Sequence, residues 1–252
     1  MLHNTMNSED LDPGWKNIYL AGGMSAILAG IIFRRNLGVE IALFSPVQSS
    51  ATVSDWYALL QSHRLLGLAY LGIFDIVNYM LIGIMLLALF IALRRINPGL
   101  TIVGFELGFL GIAIYAASNT AFSLLSLSNQ YATASSQAQR TLLLAAGHAL
   151  LSLNRFSSPG AHPGAGGYTS LLLVASSGLI FSLTILRSKL FHPAIAWFGL
   201  LANGLDLMYC LAFPFAPATI TEQLGLLFIP TAGLFFMIWH IMIGWWLLKQ
   251  WR

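Results

Sequence analysis

Charge is what this chain has least of. Only 8% of its 252 residues are Asp, Glu, Lys or Arg, where a soluble domain carries about 25%. Hydrophobic residues make up 57%, so lipid is the solvent over most of the length. Cysteine is nearly missing too: Cys210 stands alone, which excludes an internal disulfide and any Cys-cluster metal or iron–sulfur centre. No run of Lys or Arg exceeds two residues, which excludes a nucleic-acid patch. The net charge of +3 is read instead as topology signals. The start, MLHNTMNSEDLDPGW, lacks the basic region of a cleavable signal peptide, so the first apolar segment is expected to remain.

What is there is a series of apolar segments. A spanning helix needs about 20 apolar residues. Six segments suit that role: 18–33, 65–93, 99–127, 168–186, 193–213 and 224–248. The expected architecture is all-α, a polytopic bundle of six transmembrane helices. A polar tail, 1–14, precedes a single membrane domain, 15–252. The second and third segments exceed one span, which predicts tilting or protrusion. A further stretch, 141–153, is apolar but only 13 residues long, which predicts an interfacial or re-entrant helix. The turn-rich SSPGAHPGAGG behind it has no helix preference.

Lys/Arg placement sets the expected orientation. With both termini cytoplasmic, Lys16, Arg94, Arg95, Arg187, Lys189, Lys249 and Arg252 lie inside; Arg34, Arg35, Arg64, Arg140 and Arg155 lie outside. Trp15, Trp197, Trp245, Trp246 and Trp251 gather at the inner boundary, and Trp56, Tyr57 and Tyr168 at the outer one. This is a multi-pass protein of the cytoplasmic membrane. Small residues recur at four-residue spacing, as in Gly22, Ala26 and Gly30, or Gly104 and Gly108, and are read as close packing within the molecule.

Ionisable residues inside spans are costly and are functional candidates by default. The segments hold Asp75, Glu106, Asp206 and His240, and no Lys or Arg. A rise of about 1.5 Å per residue puts Glu106 and His240 roughly 10–14 Å above the inner boundary, with Asn78 and Asp206 near 20 Å and Asp75 beyond. Two polar layers are expected. The inner one pairs Glu106 with His240. The outer one groups Asp75, Asn78, Asn203 and Asp206, because Asp75 and Asn78 share a helix face, as do Asn203 and Asp206. A carboxylate with a histidine can relay protons, and two carboxylates with amides can hold a cation. The plain alternative is that each acid is protonated and bonds a neighbouring helix. No paired-histidine spacing suggests a metal, and no G-x-S-x-G, P-loop or dinucleotide fingerprint sits in a suitable context. His148 and His162 read as solvated, His63-Arg64 as an interfacial anchor, and Pro230 as a helix kink.

Three stretches resemble one known family: SATVSDWYALLQSHRLLGLAYLGIFDIVNYMLIGIMLLALFIALRRINPGL (50–100), LRSKLFHPAIAWFGLLANGLDLMY (186–209) and IPTAGLFFMIWHIMIGWWLLK (229–249). With the six-span plan they resemble the bacterial integral-membrane family called domain of unknown function 4386. The resemblance implies a bacterial or archaeal membrane protein and carries no reaction with it.

Three functions stay open. The first is a small carrier or channel for a proton, cation or small solute. The second, ranked level with it, is a non-catalytic subunit of a larger membrane assembly. The third and least favoured is a membrane-embedded enzyme or cofactor protein resting on His240 and Glu106. The cofactor stays unknown: a single buried His240 could ligate one face of a haem or touch a quinone, but paired ligands are absent. The expected partners are the bilayer and either a membrane protein or a second copy.

Overall fold

The computed structural model describes residues 13–43, 52–153 and 164–251, with the backbone alone described at 13, 33–43, 218, 221, 222 and 226. Residues 1–12 of the expected polar tail, the side chains of Arg34 and Arg35, and Arg155, His162 and Arg252 thus lie outside the described residues. The described chain is helical with no strand. After a 3-10 turn at Pro13–Trp15 come α1 (Lys16–Leu43), α2 (Val53–Ser62), α3 (Arg64–Tyr70), α4 (Ile73–Leu93) and α5 (Pro98–Ser118). Then follow α6 (Ala121–Thr133), α7 (Gln137–Leu153), α8 (Ala165–Arg187), α9 (Pro193–Ala212) and α10 (Ala218–Trp251).

Five helical stretches are long and apolar enough to cross a membrane: α4, the run Pro98–Thr133, α8, α9 and Gln223–Trp251. The apolar part of α1, Lys16–Ile32, is shorter. Helices suit lipid because each satisfies its own backbone hydrogen bonds. The protein is thus a polytopic helix bundle.

Six helices form a closed ring in the order α1, α4, α5, α8, α9, α10 and back to α1. Neighbours run antiparallel. Between α4 and α5, Phe90 meets Phe105 at one level and Tyr79 meets Tyr115 at another. Between α1 and α10, Gly23 lies against Gly244 and Gly30 against the Met237 carbonyl. The small-residue ridges serve this packing, as expected. At Gly108 a Cβ would meet Leu86 and the Ser177 hydroxyl, and Ser177 Oγ donates across to the Gly104 carbonyl at 2.6 Å. Bare backbone lets α5 and α8 approach to that distance.

One end of the ring is basic. The Arg94 guanidinium sits 5.2 Å from the Trp15 ring centre, and Lys249 lies over Trp245 at 3.5 Å. Trp246 stacks on Phe191 at 3.8 Å and donates its indole N–H to the Leu190 carbonyl at 2.8 Å. This half is filled by a solid core that includes Met85, Leu89, Leu93, Phe181, Ile185, Trp239, Ile243 and Leu247.

At the other end, α2, α3, α6 and α7 pack on one another as a cap. Its own core holds Val53, Tyr57, Leu60, Leu71, Ala121, Leu124 and Leu151. Tyr57 Oη donates to the Leu143 carbonyl at 2.8 Å, and Ser128 Oγ to the Tyr57 carbonyl at 3.1 Å. Tyr57, expected to anchor at the outer membrane boundary, is instead almost wholly buried in the cap. The stretch expected at 141–153 is helical, begins a turn earlier at Gln137, and is a member of this cap.

The two over-long segments are explained by the cap. The segment at 65–93 breaks at Gly72, whose φ of 83° is the left-handed region that suits glycine. That at 99–127 breaks between Ser118 and Ala121, where Asn119 turns extended and its Oδ1 accepts from the Ala121 N–H at 3.0 Å. The breaks touch: Asn119 Nδ2 donates to the Leu71 carbonyl at 3.1 Å. Protrusion with a bend, rather than tilt, absorbs the extra length. Part of the stretch between the first two expected spans, 34–64, is also helical, since α1 runs to Leu43 and α2 begins at Val53.

Candidate functional site

The polar residues of the ring interior lie in the cap-side half. Asp75 is in the first turn of α4, just after the Gly72 break. Tyr115, near the end of α5, donates its hydroxyl to Asp75 Oδ2 at 3.2 Å. Tyr79, one turn along α4 from Asp75, packs its ring on Tyr115 with centroids 4.6 Å apart. The Tyr79 hydroxyl lies beside Ser170 of α8 and within electrostatic reach of both Asp75 and Asp206. Asp206 in turn lies near Cys210 on its own helix.

That arrangement carries topological information. In the ring order, α4 and α9 stand opposite each other. Asp75 and Asp206 of the expected outer layer thus lie on opposite ring helices.

The amides of that layer behave differently. Asn203 is buried against Gly178 of α8, whose missing Cβ leaves the room, and its Nδ2 donates to the Gly199 carbonyl at 2.8 Å. Asn203 is thus a helix-packing residue of the α8–α9 contact. Asn78 is buried, and its Oδ1 has no hydrogen-bond partner among the described residues. The same holds for the Trp239 indole N–H. Buried polar atoms are usually satisfied, so these mark places where a bound molecule would gain most.

The inner layer does not form. His240 is 1% exposed and faces α1 beside Gly30. Its Nδ1 donates to the Phe236 carbonyl at 2.7 Å, and its ring meets Trp239 edge-on at 5.1 Å. Glu106 is exposed on the outer side of α5, whose buried face is Thr101, Gly104, Gly108, Gly111, Ile112 and Tyr115. Similar depth placed Glu106 and His240 together in sequence. Helix rotation separates them, because the packing stripe of α5 runs through its glycines and Glu106 falls opposite.

Three residues escaped sequence reasoning: Tyr79, Tyr115 and Ser170. A search for ionisable side chains passes over hydroxyls. The i, i+4 spacing of Asp75 and Tyr79 was the available signal. Among the described residues no three His, Cys, Asp or Glu side chains gather as a metal site would require.

No curated protein and no solved structure matches this chain. A family profile described as "Domain of unknown function (DUF4386)" matches residues 18–251. That match takes in the whole ring of helices from α1 to α10, the cap and both acids, and so the chain belongs to the DUF4386 family.

Proposed function

We propose that the protein is a small carrier of the cytoplasmic membrane, with both termini inside, that moves a cation or a proton through the ring using Asp75 and Asp206. The observation that supports this reading is an acid on each of two opposite ring helices: Asp75 of α4, which accepts from Tyr115 at 3.2 Å, and Asp206 of α9. Charged groups so placed in a span mark ion or proton pathways. The aliphatic and aromatic core packs the basic half, and the two acids lie toward the cap. The basic end is the cytoplasmic one by the positive-inside bias.

The test is flux into proteoliposomes under an imposed proton or potassium gradient. The Asp75→Asn and Asp206→Asn double variant should lose flux at least about tenfold, since each removed charge interaction in a buried site is worth more than 1.4 kcal/mol. Undiminished flux in a double variant that remains monodisperse would refute the carrier.

A second reading, a subunit of a larger membrane assembly, has one observation in its favour. Glu106 faces outward on α5 among Ile102, Val103, Phe109 and Leu110, all about half exposed. A carboxylate on a lipid-facing surface is costly, and a partner helix would relieve that cost. Glu106→Gln should then change the size of the particle extracted in mild detergent. An unchanged particle would remove this support.

A further inference from the structure

We propose that the outward face of α5 is the contact between two copies of this chain, a symmetric dimer in which Glu106 meets Glu106 of the partner subunit. The inference does not need the carrier reading. It shares Glu106 with the subunit reading and commits that face to one occupant, a second copy.

The face is a seam. Along α5, Gly99, Val103, Glu106, Leu110, Ala113 and Ala117 follow one another at alternating four- and three-residue steps, and every one of them is exposed. Such steps keep side chains on one stripe, the stripe along which two helices of a left-handed pair interlock. The α5 residues that pack inside the molecule form a different stripe, the one through Gly104, Gly108 and Gly111. The ring therefore leaves the outward seam unused. From Gly99 to Ala117 it runs about 27 Å at 1.5 Å per residue, close to the thickness of the hydrocarbon core. Ala113 and Ala117 are small and four residues apart, which lets two helix backbones close up in lipid.

Glu106 names the occupant. It stands eight residues after Pro98, about 12 Å along the helix from the basic end. It makes no hydrogen bond or ion pair among the described residues. Hydrocarbon tails offer a carboxyl neither donor nor cation, so its place on this surface is costly. A different chain would need its own polar group at this depth. A second copy brings one there by symmetry. Two copies inserted with the same topology are related by an axis along the membrane normal, so α5 runs parallel to α5 and equal residue numbers share one level. On a parallel seam each residue near the axis faces its own counterpart. The two carboxyl groups then bond each other, one protonated and donating, the other accepting. The spans hold no Lys or Arg, so the second copy offers no competing ion pair. A lone polar residue in an otherwise apolar seam also fixes register and strand number, and Glu106 is that residue here.

The test is oxidative cross-linking of the full chain in its own membranes, in a Cys210→Ser background. Ala113→Cys should yield disulfide-linked pairs of the chain. Leu234→Cys, exposed on α10 across the ring, should not. Photobleaching of single labelled particles in phosphatidylethanolamine–phosphatidylglycerol vesicles then counts chains, and two are expected. Glu106→Leu should lower the association constant about tenfold, the size of one interhelical hydrogen bond in lipid. Ala113→Leu, which fills the seam, should lower it too. Both substitutions face lipid and leave the ring contacts in place. Single chains at every density would overturn the proposal. So would pairs that cross-link through Leu234→Cys and not through Ala113→Cys, or an association constant unchanged in Glu106→Leu. A Glu106-dependent particle that holds one copy and a different chain would overturn it while upholding the subunit reading.

Discussion

Individual side chains decide the ends and joints of this molecule. Thr52 caps α2: its Oγ1 accepts from the Asp55 N–H at 3.3 Å, while Asp55 Oδ2 accepts from the Thr52 N–H at 2.7 Å. This reciprocal box satisfies two donors that a helix start leaves open. Hydrogen bonds to Thr52 hold the Asp55 carboxyl below its ordinary value of 3.8. The folded cap thus favours the ionised form. That contribution is complete above the ordinary value and is lost as pH falls through the lowered one. Cap unfolding followed by hydrogen exchange should accelerate in acid in the native chain. The Asp55→Asn variant should be less protected at neutral pH and lose less on acidification. Equal acid sensitivity in both would exclude Asp55 as the cause. At the same scale, acids and small residues were legible in the sequence, but partners were not. Depth along an axis follows from counting residues; the direction of a side chain around that axis follows from the neighbours. Glu106 and His240 show the difference.

Elements form two layers of contact. The ring helices use small residues to approach, because apolar burial gives no drive for association in lipid. The cap helices use large residues and hydrogen bonds, as soluble helices do. Leu60 is fully buried in the cap, packed where Gly67 brings α3 close. Leu60→Ala should weaken the cap by about 2–5 kcal/mol, the range for a buried leucine emptied to alanine. Limited proteolysis should then cut within α2, α6 or α7 while a fragment from α8 to α10 survives intact. Cleavage spread evenly over the chain would mean that cap and ring are one folding unit. The cap was half legible. The short apolar stretch at 141–153 was visible, but α2 hid within a loop and α6 within an over-long segment. Breaks at Gly72 and Asn119 are set by contact between the two joints, a non-local event.

Across the whole molecule, the closed antiparallel ring puts Lys16, Arg94, Arg95, Arg187, Lys189 and Lys249 at one end and the cap at the other. Orientation in the cell then reduces to a single choice. In a Cys210→Ser background, a membrane-impermeant maleimide should label Ser136→Cys in the cap of intact cells. Lys189→Cys should react only after permeabilisation. The reverse pattern would place the basic end outside and turn the proposed path around. Closure of the ring also sets the helices that carry Asp75 and Asp206, α4 and α9, opposite each other.

Composition and apolar run length alone determined that this is a helical membrane protein, and basic turns alone marked one end. Both are local properties, read residue by residue against the thickness and polarity of a bilayer. Tertiary structure decided which polar residues meet. Helix rotation turned Glu106 outward, buried His240 against α1, sent Asn203 into the gap at Gly178, and brought Tyr115 onto both Asp75 and Tyr79. Rotation is set by the fit of small ridges between neighbouring helices, and that fit exists only once the ring has closed.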